Sequence, residues 1–258
     1  MAATILITGA TGLVGKALTD YLLKKDYTIH ALTTQKSRVG SVNNVNFFYW
    51  NPQENEMDTS CFDGVEVVIN LAGSSIAQRW TKSAKTSILN SRIQSLQVLS
   101  KAIKEGNYPI KQLISASAVG IYSDSKTNYY EEEHVSTDDS SFLSAVVSAW
   151  ESATIQFQEM GIKTTLLRIG IVLDANGGAL PKIKAPIEKY CGAVLGSGEQ
   201  WQSWIHIDDL VAIFTHVLEF KLEGVFNAVA PNPVQQTELT KTIAHVLKKP
   251  LFLPNVPG

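Results

Sequence analysis

Residues 4–8 (TILIT) have the branched and aliphatic composition of a strand buried on both faces. They run without a break into Gly9-Ala10-Thr11-Gly12-Leu13-Val14-Gly15, a GxxGxxG spacing. An amphipathic stretch follows over residues 13–25, with Val14, Leu18, Leu22 and Leu23 on one face. Few folds accept a strand that meets three spaced glycines and restarts at once as a helix. Gly9 permits the tight turn, Gly12 leaves backbone open to close approach, and Gly15 lets helix and strand pack together. The first turn of such a helix offers unpaired N–H groups and a partial positive charge, which suit a diphosphate. A bare turn without a ligand is the alternative, and the strand–turn–helix order weighs against it.

The same alternation continues. Strands are predicted over 27–33, 45–50, 65–71, 111–115 and 163–168, and helices over 81–104 and 142–160. In the long helix Ile88, Leu89, Ile93, Leu96 and Leu99 fall at helical spacing. This order predicts an α/β, doubly wound parallel sheet of the Rossmann type, covered on both faces. After Arg168 the rhythm breaks at Gly177, Gly178, Pro181, Pro186, Gly192, Gly196 and Gly198. A helix over 208–220, a strand over 224–229 and a helix over 237–247 close the chain. Residues 1–169 with 205–230 are therefore expected to form the core, and 170–204 with 231–258 a smaller lobe.

The 258 residues are 45% apolar, enough for a large core, and carry a net charge of −2. No basic excess points to nucleic acid, and no apolar run is long enough to span a membrane. Cys61 and Cys191 lie far apart and in no metal-ligand spacing, so neither a metal nor a disulfide is expected. The first strand begins too near residue 1 for a secretory signal, and a cytoplasmic setting is the expectation.

The end of the second strand commonly sorts NAD(H) from NADP(H), through an acidic residue on the ribose or a cation on the 2′-phosphate. Here it reads Leu32-Thr33-Thr34-Gln35-Lys36-Ser37-Arg38, without a carboxylate. NADP(H) is favoured over NAD(H), with Thr33 and Arg38 at the adenosine end; a solvated loop is the bland reading of Lys36 and Arg38. The fourth strand ends in Asn70-Leu71-Ala72-Gly73, small enough to let a ligand close at the crevice.

TGATGLVG, NLAG and LISASAVGIY together resemble the extended short-chain dehydrogenase/reductase superfamily. RWTKSAKTSILNSRIQSL, Trp150-Glu151, LLRIGIVLDANGGAL, LGSGEQWQSWIHIDDL and FNAVAPNPV resemble its atypical epimerase-like branch, the NAD-dependent epimerase/dehydratase family. The resemblance implies a core of about seven strands, a smaller C-terminal substrate lobe, and a dinucleotide across the carboxyl ends of the strands. It places Gly9, Thr11, Gly12, Leu13, Val14 and Gly15 on the diphosphate and Leu71, Ala72 and Gly73 along the cofactor's middle. Ala116 and Ser117 fall near the nicotinamide. Members of the branch usually continue for some tens of residues beyond this chain's last position, so the lobe is expected to be incomplete.

Active members of the superfamily carry a Ser or Thr, and a Tyr-xxx-Lys pair on the helix after the fifth strand. The literal match here, Tyr122 with Lys126, lies in Asp-, Ser- and Asn-rich loop sequence directly after that strand. Counting back from Glu151, Leu143 and Val147 take the tyrosine and lysine positions, and Ala118, beside Ser117, takes the hydroxyl position. Two readings stay open. One is an oxidoreductase working on a small molecule, such as a nucleotide sugar or carbonyl compound, with Ser117 and Tyr122 as catalytic candidates and Glu131 and His206 also available. The other is a catalytically silent NADP(H)-binding redox sensor or scaffold, which alone calls for a protein partner. Trp201 and His206 are candidates for contact with substrate, although His206 and Asp208 equally suit a helix cap. Trp80 and Trp204, like Trp201, fall in segments expected to face the crevice, where they suit either a flat ligand or ordinary packing, with packing preferred for Trp204. Arg168 suits either a substrate anion or a carboxylate beneath the sheet.

Overall fold

A computed structural model describes residues 3–134 and 141–255. In chain order the first half comprises β1 (Thr4–Thr8), α1 (Leu13–Leu23), β2 (Thr28–Thr33), β3 (Gly40–Val42), β4 (Val45–Asn51), β5 (Glu56–Met57), β6 (Val65–Asn70), α2 (Lys82–Gly106) and β7 (Gln112–Ala118). The second half comprises α3 (Phe142–Ser152), α4 (Ile155–Glu159), β8 (Lys163–Ile169), β9 (Ile171–Asp174), β10 (Gly177–Gly178), α5 (Ala179–Glu188), β11 (Trp201–Gln202), β12 (Trp204–His206), α6 (Ile207–Phe220), β13 (Gly224–Ala228), β14 (Val234–Gln235) and α7 (Gln236–Val246).

The main sheet runs β13-β8-β7-β6-β1-β2-β4-β3, and β5 pairs on β4. Its seven long strands are parallel; β3 and β5 join antiparallel at one edge. The order reverses between β1 and β6, which is the switch point where open α/β sheets bind ligands. Side chains alternate across the strands, so each face has its own core. Ile5, Ile7, Ile29 and Ile69 pack with Leu18, Leu22, Leu210 and Phe214 of α1 and α6. Leu6, Val68 and Leu113 pack with Leu96, Leu99 and Trp150 of α2 and α3. The fold is the expected doubly wound α/β sheet. Among the described residues no helix is long and apolar enough to cross a membrane.

Two details depart from the periodicity. The helix expected over 142–160 is two helices, because the Thr154 hydroxyl donates to the Glu151 carbonyl at 2.7 Å and diverts the backbone there. The glycine- and proline-punctuated stretch after Arg168 holds helix α5, whose Pro186 is accommodated inside it. Within 170–204 and beyond 231, short strands build two small sheets, β10-β9-β12 and β11-β14, apart from the main one. Trp204–His206 joins the first of these by pairing with β9. Residues 256–258 of the expected lobe lie outside the described residues.

Candidate active site

The turn between β1 and α1 is built around Gly9, which holds φ +68°, a left-handed conformation that favours glycine. A Cβ on Gly9 would stand 2.6 Å from the Leu71 carbonyl oxygen, so the turn lies directly against the end of β6. A Cβ on Gly15 would stand 2.1 Å from the Gly9 carbonyl oxygen and 2.8 Å from the Ala10 Cα. The Gly12 N–H closes the turn onto Gly9 at 3.0 Å, and Gly12 is the N-cap of α1 with no side chain bonded to the helix end. The amides of Leu13, Val14 and Gly15 therefore form an uncapped first turn. Thr11 and Gly12 are exposed above it, and Val14 packs downward onto the core. The Leu13 side chain turns instead toward the lobe, where a Cβ on Gly177 or Gly178 would lie 2.6 or 2.8 Å from its methyl groups. These two glycines let the β9–β10 hairpin close onto the mouth of α1.

Across the switch point, a chain of buried polar side chains ties three strand ends. Thr8 donates to Asn70 at 2.8 Å, and Asn70 donates to Ser115 at 3.1 Å. Thr8 Oγ1 also accepts the N–H groups of Leu71 and Ala72, both at 3.0 Å. Each buried group is satisfied, so the Leu71–Ala72 backbone is fixed at the rim of the crevice. Gly73 has a different neighbour: a Cβ there would stand 3.1 Å from the Arg92 guanidinium carbon.

At the end of β2, Thr33 is buried and its hydroxyl accepts the Gln35 N–H at 3.1 Å, shaping the turn into a short 3-10 segment at Lys36–Arg38. Lys36 Nζ lies 4.9 Å from the Tyr49 ring centroid, and the Arg38 Cζ 6.0 Å from that of Phe47. Both cations are exposed, and among the described residues neither forms an ion pair with a carboxylate. A polar groove of about 710 Å³ opens between Gln53 and the face of α2 that carries Lys82, Ser87, Asn90 and Gln94.

Beyond β7 the polar groups converge on Arg168. This arginine is 2% exposed and makes a two-point ion pair with Glu151 of α3, Nε to Oε1 and NH2 to Oε2, each 2.9 Å. Of the two partners open to it from sequence, it takes the carboxylate. Its NH1 donates to the Tyr122 hydroxyl at 2.9 Å and to the Glu132 carbonyl at 2.8 Å. Burial pulls its pKa down, and the hydrogen bonds and charges of Glu151 and Tyr122 more than offset that, leaving it raised. Ser117 donates to Glu151 at 2.5 Å, and Tyr122 donates to Asn227 of β13 at 2.7 Å. The structure thus brings Ser117 and Tyr122 into one network, with both hydroxyl protons given to protein acceptors. Ala116, between Ser115 and Ser117, turns into the core beside α2 and α3. Helix α3, FLSAVVSAWES, has neither Tyr nor Lys, and Leu143 and Val147 face the Gly120 backbone at its start.

The remaining candidates lie apart from that network. Glu131 is exposed. His206 Nδ1 accepts the Asp208 N–H at 3.2 Å and caps α6, while its ring stays half exposed. Trp201, partly exposed, donates to the Lys126 carbonyl at 2.9 Å, and Trp204 to that of Asn232 at 3.1 Å. Trp80 donates to the Ile76 carbonyl and stands edge-on to Phe142. Lys126 pairs with Glu199 on the surface and not with Tyr122. Sequence reasoning passed over Glu132, Asn227 and Arg92. A signal existed for Arg92 alone: it falls four residues from both Ile88 and Leu96, on the buried stripe of α2.

Against known proteins, residues 5–229 match the NAD dependent epimerase/dehydratase family. An epimerase family protein of Staphylococcus saprophyticus is 40% identical over 248 residues, covering 95% of this chain and 81% of the relative. The human epimerase family protein SDR39U1 (isoform 2), solved with NADPH, superposes with a TM-score of 0.82 at 28% identity, covering 98% of this chain and 82% of that one. A nucleoside-diphosphate sugar epimerase from Corynebacterium glutamicum gives 0.79 at 33% identity, over 96% of this chain and 51% of its own. A glycine turn that only a bare backbone can make, placed at the switch point of this sheet, agrees with those matches: the chain belongs to the NAD-dependent epimerase/dehydratase family, whose fold binds a nicotinamide dinucleotide.

Proposed function

We propose that the chain binds NADP(H) across the β1–β6 switch point and is an oxidoreductase of small molecules, such as nucleotide sugars or carbonyl compounds, without a Tyr-xxx-Lys pair. The observation that carries this reading is the cradle at the β1–α1 turn, where a side chain on Gly9 or Gly15 would strike backbone and the first amides of α1 are uncapped. Those amides, from Leu13, Val14 and Gly15, hold the diphosphate, with Gly9, Thr11 and Gly12 framing it and Leu71, Ala72, Gly73 and Ala116 along the cofactor's path. Two carboxylate-free cations, Lys36 and Arg38, after Thr33 favour the 2′-phosphate of NADP(H), and the human relative solved with NADPH supports that preference. Bound NADP(H) supplies a hydride donor or acceptor.

On the protein side, Ser117 and Tyr122 are the hydroxyls proposed to face the substrate oxygen. Arg168 sets a fixed cation against the Tyr122 oxygen, so negative charge developing there is stabilised. Residues 170–204 with 231–258 form the substrate lobe, and Trp201 and His206 are its proposed contacts. In the cytoplasm, the setting of this reading, the free thiols of Cys61 and Cys191 stay reduced.

A second reading, a catalytically silent NADP(H)-binding sensor or scaffold, is favoured by one feature: Ser117 and Tyr122 both spend their protons on protein acceptors, Glu151 and Asn227. Calorimetry with NADPH and NADH, followed by turnover assays on carbonyl and nucleotide-sugar panels, separates the two. The oxidoreductase reading expects NADPH to bind and turnover to fall in Ser117→Ala and Tyr122→Phe. Tight NADPH binding without turnover selects the sensor, and binding of neither dinucleotide by folded protein removes both.

A further inference from the structure

Arg92 sits where the catalytic network does not reach. A Cβ on Gly73 would lie 3.1 Å from its Cζ and 3.3 Å from NH1 and NH2, so the guanidinium is pressed against the backbone at the rim of β6. Its NH1 donates to the Ile88 carbonyl at 2.9 Å and to the Ser74 carbonyl at 3.2 Å, and its Cζ lies 4.9 Å from the Trp150 ring centroid. Ser91 accepts the Ser74 N–H at 2.9 Å, so the loop and the helix that carry the two groups are stapled together. The guanidinium is therefore held in one orientation.

No carboxylate pairs with Arg92 among the described residues, and its Nε and NH2 have no hydrogen-bond partner there. The side chain is half-buried, burial lowers its pKa, and an anion on the open edge would offset that cost. Gly73, against which it lies, is two residues from Leu71, the residue against which the Gly9 turn is packed. The absence of a side chain on Gly73 gives room to this cation.

We propose that Arg92 takes an oxygen of the dinucleotide's diphosphate from the α2 side of the crevice, opposite the amides of α1. Nε and NH2 form the open edge of a planar fork, which matches two oxygens of a phosphate. The assignment rests on the NADP(H) reading above. It adds a residue of α2 to a site that the glycine turn otherwise forms from backbone alone.

The test measures dissociation constants of purified full-length protein for NADPH, 2′-phospho-ADP-ribose and adenosine 2′-monophosphate. The first two carry the diphosphate and the third does not. Arg92→Gln is expected to weaken the first two by about tenfold or more, as loss of a charge-assisted bond does. It leaves adenosine 2′-monophosphate unchanged, and Arg92→Lys restores part of the loss. NADPH affinity within twofold of wild type in Arg92→Gln overturns the assignment. An equal loss for all three ligands also overturns it, because the crevice wall, not the diphosphate, has then changed. Failure of the unmodified protein to bind either dinucleotide is a separate result, which removes the NADP(H) reading and this assignment with it.

Discussion

Glu151 and Arg168, one on α3 and the other on β8, meet as a two-point ion pair beneath the carboxyl ends of the sheet, and Ser117 completes the Glu151 oxygen that faces β7. Neither charge is solvated enough to stand alone. Removing one member of a buried pair leaves the other uncompensated, which costs about 3–5 kcal/mol, whereas an apolar replacement of both costs less. Arg168→Met is therefore expected to lose about that much stability in urea denaturation, and Glu151→Leu with Arg168→Met less than the single variant. Strictly additive losses would show that the two side chains are not coupled.

Gly12 and Gly15 separate binding from folding. At Gly12 a Cβ would meet only the Gly9 carbonyl oxygen at 3.3 Å, and φ is an ordinary −74°. Gly12→Ala is expected to melt near wild type and to bind NADPH about tenfold or more weaker, since its methyl group enters the space above the amides. Gly15→Ala forces backbone apart and is expected to cost about 1–3 kcal/mol of stability. Equal melting temperatures for the two variants would contradict this division.

Arg38 is held over Phe47 at the end of β2, with no carboxylate to neutralise it. Arg38→Glu is expected to reduce the NADPH-over-NADH preference on the order of tenfold, through loss of a charge-assisted contact and gain of repulsion. Calorimetric titration with both dinucleotides reads the ratio, and an unchanged ratio removes Arg38 from 2′-phosphate recognition.

The two thiols differ in environment. Burial, with Asp58 and Asp63 nearby, pushes the Cys61 thiol well above its usual range, while Cys191 is exposed. A disulfide reagent at pH 8 is expected to modify one thiol in the native protein and two after denaturation, because only thiolate reacts. Rapid reaction of both in native protein would mean that the core around Cys61 opens readily.

The glycine turn was legible because its constraints are local. A left-handed φ at Gly9 and the contact between Gly15 and the Gly9 carbonyl lie within a seven-residue stretch, where spacing alone carries the information. The strands were legible for the same reason, through composition and short period. The helix over 142–160 was misread as continuous because apolar spacing does not register a side chain that competes for backbone, as Thr154 does. The small size of Gly73 was legible, but not that Arg92 stands against it, 3.1 Å from where a Cβ would be.

The amino-acid order by itself determined the α/β class, the place of the glycine turn and the lack of Tyr and Lys in α3, all of which follow from neighbours within a few turns of chain. Tertiary structure alone decided the partners: Arg168 with Glu151, Tyr122 with Asn227 across 105 positions, Leu13 beneath Gly177 and Gly178, and Arg92 against Gly73. Sheet order and the return of the small lobe onto α1 set those distances. No periodicity encodes them, because a contact between remote segments depends on how several elements pack at once.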